Sequence, residues 1–410
     1  EGFSAHKLGL SGLDAGFVGH LGVSGGQRYG TQLVFHKLRT AGKNKNRFLD
    51  LFGFGELLAP RLDVFRTQSR NLDFSKSLES FLGDEDLTAL LIRDFNTCGL
   101  GGKFDRYERG DHFSRLVCAL NLDDKADGDV NSGGSFGLGK TAYAKSSRIN
   151  TVIYHSTFKA SSETRDKNRR LMAAGVYPRH KYAGKDFGGF AYYGKPASGD
   201  QAIAIPYEDA EAENLWGRIG ELFEADISRS ADQHGTDILI LVSALDLSAL
   251  KRAVEDYYFP AIMNGDLSVK FIEEDGSIDF PRPEERNDLD QFVRLTKTAK
   301  AQSEIKEDGV EVANLQRYQK HKIGRVAFES AEQDEAASEK SNCVAIMRGT
   351  GMIINYVKMG SDAYEPAVGA FVADEEIWKY LIASENAAHS EWSEHSRRLQ
   401  QDFPENGKRI

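Results

Sequence analysis

The chain has 410 residues, 40% of them hydrophobic and 28% charged, and a formal net charge of -10. That is enough apolar material for two or three separate cores, and no apolar run approaches the roughly 20 residues that a membrane-spanning helix needs. The negative balance disfavours sequence-independent binding of nucleic acid by the whole surface. Cys98, Cys118 and Cys343 have no zinc-site spacing and an odd count, so they read as reduced thiols of a cytoplasmic protein.

Residues 1 to 30 are glycine-rich and read as an arm or loop. Thr31 to Arg39 reads as helical, 42–46 as a basic polar break, and Phe48 to about Leu62 as a buried helix weakened by Gly53, Gly55 and Pro60. Ala89 to Phe95 is expected to form a short buried strand that ends in a polar turn, Asn96 to Gly102. Ile149 to Ser156, rich in β-branched residues, is a second expected strand. The polar stretch from Ser161 to Gly199 is expected to hold a hairpin near 188–193. Its basic residues Lys167, Arg169, Arg170, Arg179 and His180 read as a solvated loop, with DNA contact as the alternative.

Leu215 to Phe223 reads as a helix and Asp237 to Val242 as a strand. Leu247 to Met263 carries apolar residues at helical spacing, Leu267 to Ile272 alternates as a strand, and Asp275-Gly276 supplies a turn. Pro281 to about Asp308 reads as a charged linker holding a helix. Two short strands, 343–347 and 352–357, and a polar helical tail complete the chain.

The stretch Gly133-Gly134-Ser135-Phe136-Gly137-Leu138-Gly139-Lys140 concentrates glycine before a cation, a backbone that can close on an anion. From Gly134 to Thr141 it also spells the P-loop pattern G-x-x-x-x-G-K-[ST]. A P-loop must leave a buried strand, and the approach from Asn121 to Asp129 is too polar to be one. That weighs against a P-loop NTPase.

Three separated features suggest a different nucleotide site. Asp94 ends a strand before Asn96, Thr97 and Gly99, the glycine loop follows, and Gly235-Thr236 opens a later strand. In this order they resemble the GHKL ATPases, the superfamily of gyrase, heat-shock chaperones, histidine kinases and MutL. The resemblance implies an α+β protein with a Bergerat-type α/β sandwich over 1–242, a transducer-like α/β region over 243–290 and a small mixed C-terminal module over 291–410. It also implies that Asp94 accepts from the adenine amine and that Asn96 and Gly99 shape the adenine turn. The Gly133 to Lys140 loop would be a lid on the phosphates, and Thr236 would complete the adenine hydrogen bonds.

In the family, a Glu on an N-terminal helix activates water and an Asn four residues later binds Mg²⁺. The best match begins at Glu56, but Pro60 stands where that Asn belongs. Proline offers no side-chain oxygen, so the metal ligand is unassigned. The implied activity is ATP binding with hydrolysis and conformational change, using ATP and Mg²⁺. A homodimer, a protein partner or DNA would be possible associates, in bacterial DNA transactions or phage defence. The alternative is a nucleotide-gated scaffold with little turnover. Arg348 to Met352 and Ser384 to Trp392 read as motifs of the last module, with a structural role favoured over a site.

Overall fold

The computed structural model describes residues 30–67, 72–105, 110–118, 138–197, 200–301, 308–316, 322–331, 340–348, 351–359, 366–385 and 391–403. Strand β1 is Thr31–Ala41, where the sequence reading expected a helix. Leu33 and Phe35 point into one core and Leu38 into another, so the buried face changes part-way along the strand. The one-residue shift at His36-Lys37 breaks the alternation that identifies half-buried strands. The expected polar break instead opens helix α1, Gly42–Leu51. There Lys45 is buried and its ammonium donates to the carbonyl of Asp84.

The apolar run after Phe48 is not one helix. Helix α2 is Phe54–Leu58, Pro60 lies in the first turn of a 3-10 segment, Ala59–Arg61, and α3 is Leu62–Arg66. Pro60 lacks the N–H that a continuous helix would use, so it is tolerated only where a new turn starts. Helix α4, Leu72–Gly83, follows and leads to strand β2, Asp86–Phe95.

Helix α5, Leu138–Ser146, precedes β3, Thr151–Thr157, and β4, Arg169–Val176. Short strands follow: β5 His180–Tyr182, β6 Lys185–Phe187, β7 Phe190–Tyr193, β8 Lys195–Ala197, β9 Asp200–Ile205 and β10 Tyr207–Glu208. Helix α6 is Asp209–Leu222 and β11 is Gly235–Leu241. Helix α7 spans Leu247–Met263, as the helical spacing predicts, and is capped by Asp246, whose carboxylate accepts from the Ala249 N–H at 2.8 Å. Strands β12, Leu267–Ile272, and β13, Ile278–Asp279, then form a hairpin.

These elements build a nine-stranded sheet in the order β10-β4-β3-β11-β2-β1-β12-β13, with β7 also paired to β4. Most neighbours are antiparallel, but β12 runs parallel to β1, so the sheet is mixed and extends past residue 242 into the 243–290 segment. Phe35 and Phe271 stack across that parallel pair at 5.1 Å. One face is covered by α1 to α4 and α6 through Phe48, Phe54, Phe65, Phe81 and Trp216. The other is covered by α5 and α7 through Tyr143, Leu250, Val254 and Tyr258.

Helix α8, Asn287–Lys300, leads into a second, five-stranded sheet. Its strands are β14 Glu311–Gln316, β15 Lys322–Ser330, β16 Cys343–Arg348, β17 Met352–Lys358 and β18 Ala367–Ala373, in the order β14-β15-β18-β16-β17. Three of these strands, β14, β15 and β18, went unread in the sequence. Helices α9, Trp378–Ser384, and α10, Arg397–Asp402, close the chain. Phe259 of α7 joins Leu289, Phe292 and Leu295 of α8 against this second sheet, while Met352 and Ile354 of β17 join the core of the first. Helix α7 thus belongs to both cores, and the fold class is mixed α+β.

Candidate functional site

The alternation of β2 sets the site. Leu90 and Ile92 face the α5/α7 side, whereas Ala89 and Leu91 face the helix-covered side. Asp94 continues the first series and Arg93 the second. Strand β11 repeats this arrangement: Ile238 and Ile240 face α7, and Leu239 and Leu241 face the other layer. Thr236 therefore shares the face of Asp94, and Asp237 shares that of Arg93, directly opposite which it is paired.

Asp94 is 3% exposed. Its carboxylate accepts from the Thr97 hydroxyl three residues on and from the backbone N–H of Thr236. Burial pushes its carboxyl up to about 7, against these hydrogen bonds and the nearby Arg229. The backbone around it is packed without slack. A Cβ on Gly235 would lie 2.2 Å from the Asp94 carbonyl oxygen, and a Cβ on Gly99, whose φ is +63°, would lie 2.2 Å from the Thr157 carbonyl oxygen. Only glycine allows these approaches. The Ser156 hydroxyl ties the parts together, donating to the Gly235 carbonyl at 2.8 Å and accepting from the Leu100 N–H at 2.7 Å.

Asp94, Gly99 and Thr236 are thus brought to one end of the sheet from separate strands. The Thr236 side chain is buried. Asn96 belongs to the same turn but points elsewhere: it is exposed, with φ +63°, and its amide donates to the Gly30 carbonyl at 3.0 Å. Gly133, Gly134, Ser135, Phe136 and Gly137 lie outside the described residues. Leu138, Gly139 and Lys140 open α5, and their side chains also lie outside the described residues. Further along α5, Tyr143 is 3% exposed in the core that holds Ile92, and its phenol is pushed well above its ordinary range by burial first, with Tyr154 and Asp94 adding to it.

Glu56 does not join them. It is exposed on α2, between Phe54 and Leu58, which bury into the core on the opposite face of the sheet from Asp94. The structure therefore does not bring Glu56, expected as the water-activating base, together with Asp94. Among the described residues no group of three or more His, Cys, Asp or Glu could hold a metal ion. Two of the basic residues near β4 are buried and paired. Arg170 is fully buried, bonded to Glu208 and to the Gly102 carbonyl, and Arg169 is 8% exposed, bonded to Glu213 and to the Arg229 carbonyl.

Thr97, Arg229 and Tyr143 are site residues that sequence reasoning missed. Thr97 had a local signal, since a hydroxyl three residues after an Asp often closes a turn on it. Arg229 sits in an irregular polar stretch with no periodicity to flag it. An open groove of about 760 Å³ lies elsewhere, between α7, the β12–β13 hairpin and the start of α8. Its cations are already paired, Lys251 with Asp279 and Arg286 with Glu255, Asp256 and Asp288. It is the weaker candidate on chemistry.

No protein-family model matches the chain, and no curated protein matches it in sequence.

Proposed function

We propose that the chain is a nucleotide-binding protein of the GHKL type, in which Asp94 accepts from the exocyclic amine of adenine and Thr236 lies beside it. The observation that carries this reading is the convergence of Asp94, Gly99, Gly235 and Thr236 at one end of a mixed sheet, with a buried carboxylate at its centre. A lone buried carboxylate without a purpose is costly, and perturbed acids of this kind concentrate at functional sites. The helix that follows the glycine loop covers the same face through Tyr143, which supports a lid at this position and a Bergerat-type domain.

Of the two sequence-based readings, the nucleotide-gated binding protein is favoured over an efficient hydrolase. Glu56 lies across the sheet and Pro60 offers no metal ligand. ATP would then act by stabilising one arrangement of the lid, α5 and α7, so that its differential affinity shifts the population. Because α7 contributes to both cores, a change there reaches the C-terminal sheet. The proposed ligand is ATP, with a protein partner or a second copy as the reader of its state. Isothermal titration of the full chain with AMPPNP tests this: the wild type binds and Asp94→Asn loses at least tenfold in affinity. Equal binding by the two would contradict it.

A further inference from the structure

Behind β11, on the face away from the proposed ligand, lies a buried charged cluster. Asp237 accepts from Arg93 Nε at 2.8 Å, from Arg229 Nη2 at 2.6 Å and Nε at 3.2 Å, and pairs with His155 Nδ1 at 2.8 Å. The side chains of Asp237 and Arg229 are wholly buried, and His155 stacks flat on Trp216 with ring centroids 4.8 Å apart. Burial first of all keeps the His155 imidazole below its ordinary range, against the pull of Asp237. Two guanidinium groups therefore face one carboxylate, which leaves a buried positive charge over. Such an excess is costly unless another anion balances it.

Asp94 is placed to be that anion. The point where a Gly235 Cβ would sit is 2.5 Å from Arg229 Nη1 and 2.8 Å from Asp94 Oδ1, so the absent side chain is what lets the two groups approach past the strand. A guanidinium has five N–H groups. On Arg229, Nε and Nη2 are directed to Asp237 and the Thr236 carbonyl, and Nη1 gives one bond to the Gln233 carbonyl. Among the bonds to described residues the remaining N–H belongs to Nη1, the nitrogen that lies beside the Gly235 Cβ position.

We propose that Arg229, reaching past Gly235, is the positioning residue and counter-ion that eases ionisation of Asp94, the hydrogen-bond acceptor for the ligand amine. This rests on the reading of Asp94 as the adenine acceptor. The groups facing Asp94 are Thr97 and Cys98 from its own turn, Thr236 and Asp237 from β11, Arg229, and Tyr143 from α5. Of these only Arg229 is a cation, so removing its charge leaves desolvation and the Asp237 carboxylate to act on Asp94 with one less opposing force. Arg93, bonded to the same Asp237 but on the face of β2 opposite Asp94, is the internal control.

The test is the pH titration of the Asp94 carboxyl by ¹³C NMR in the nucleotide-free full chain, its resonance assigned by its absence in Asp94→Asn. Arg229→Gln moves the titration up by about one unit or more, Arg229→Lys restores most of the wild-type value, and Arg93→Gln leaves it near wild type. If Arg229→Gln does not fold, Asp237→Asn is compared with Asp237→Asn/Arg229→Gln, where Asp237 no longer needs a cation, and the same upward move is expected. An unchanged titration, or an equal move in the Arg93 variant, overturns the proposal. The acid limb of AMPPNP affinity should move with the titration in Arg229→Gln. A wild type that binds no AMPPNP would overturn the nucleotide reading, while the carboxyl titration would still decide the role of Arg229.

Discussion

Arg93 and Asp94 are neighbours in sequence that serve opposite faces of one sheet. Arg93 reaches Asp237 at 2.8 Å within the helix-covered layer, and Asp94 accepts from Thr97 and Thr236 on the α5/α7 side. The two-residue period of a strand makes this inevitable once β2 is buried on both faces. It also separates the chemistry: the charged cluster that fixes the strand ends is on one side, and the acceptor is on the other.

The Asp94 carboxyl is raised from 3.8 to about 7 by burial. Its contribution to stability is therefore fully present below pH 4 and is lost as pH rises towards 7, because the unfolded chain ionises first. The slope is at most roughly 1.4 kcal/mol per pH unit. Urea denaturation of wild type and Asp94→Asn between pH 4 and 8 should show the wild type losing stability relative to the variant across that window. Parallel curves would refute the assignment.

Asp237 behaves in the opposite sense. Burial alone would raise its carboxyl, but Arg93 and Arg229 hold it well below the usual range. Its contribution is present above the ordinary carboxylate range and lost as pH falls below it. Asp237→Ala leaves two arginines buried without their partner and should cost about 3–5 kcal/mol, measured as a shift in urea midpoint at pH 7.

Gly235 has φ +154° and no room for a methyl group. Gly235→Ala should cost about 2 kcal/mol or more and weaken AMPPNP binding. By contrast Gly276→Ala, where φ is +81° but nothing lies within 4 Å, should cost about 1 kcal/mol. Thermal melts of the two variants compare them directly, and equal losses would contradict the crowding at Asp94.

Glu385 is fully buried, 3.1 Å from Arg348 Nε, and accepts from the Trp392 indole at 3.4 Å, so the two C-terminal motifs singled out in the sequence meet in space. Glu385→Ala should destabilise the second sheet by about 3 kcal/mol and change Trp392 fluorescence, while AMPPNP affinity stays within twofold. A surface-like loss under 0.5 kcal/mol would show that the pair is not structural.

Much of this was legible in the sequence where period and burial agree. Helix α7 and strand β12 coincide with their expected limits because each shows one clear periodicity. Strand β1 was misread because its buried face changes part-way along, and α1 because its buried Lys45 looks like a solvated charge. The site was legible as three short features, Asp94, Gly99 and Gly235-Thr236, which the sheet brings together. Glu56 was not separable from them by sequence, since the side of the sheet a helix packs on is a tertiary choice. Arg229 carries no local pattern, because its role comes from the one missing Cβ at Gly235.

The most direct measurement of the central claim is AMPPNP titration of wild type, Asp94→Asn and Glu56→Ala. Binding by wild type, at least a tenfold loss in Asp94→Asn and unchanged affinity in Glu56→Ala is the predicted result. Absence of binding by the wild type, or equal binding by wild type and Asp94→Asn, would contradict it.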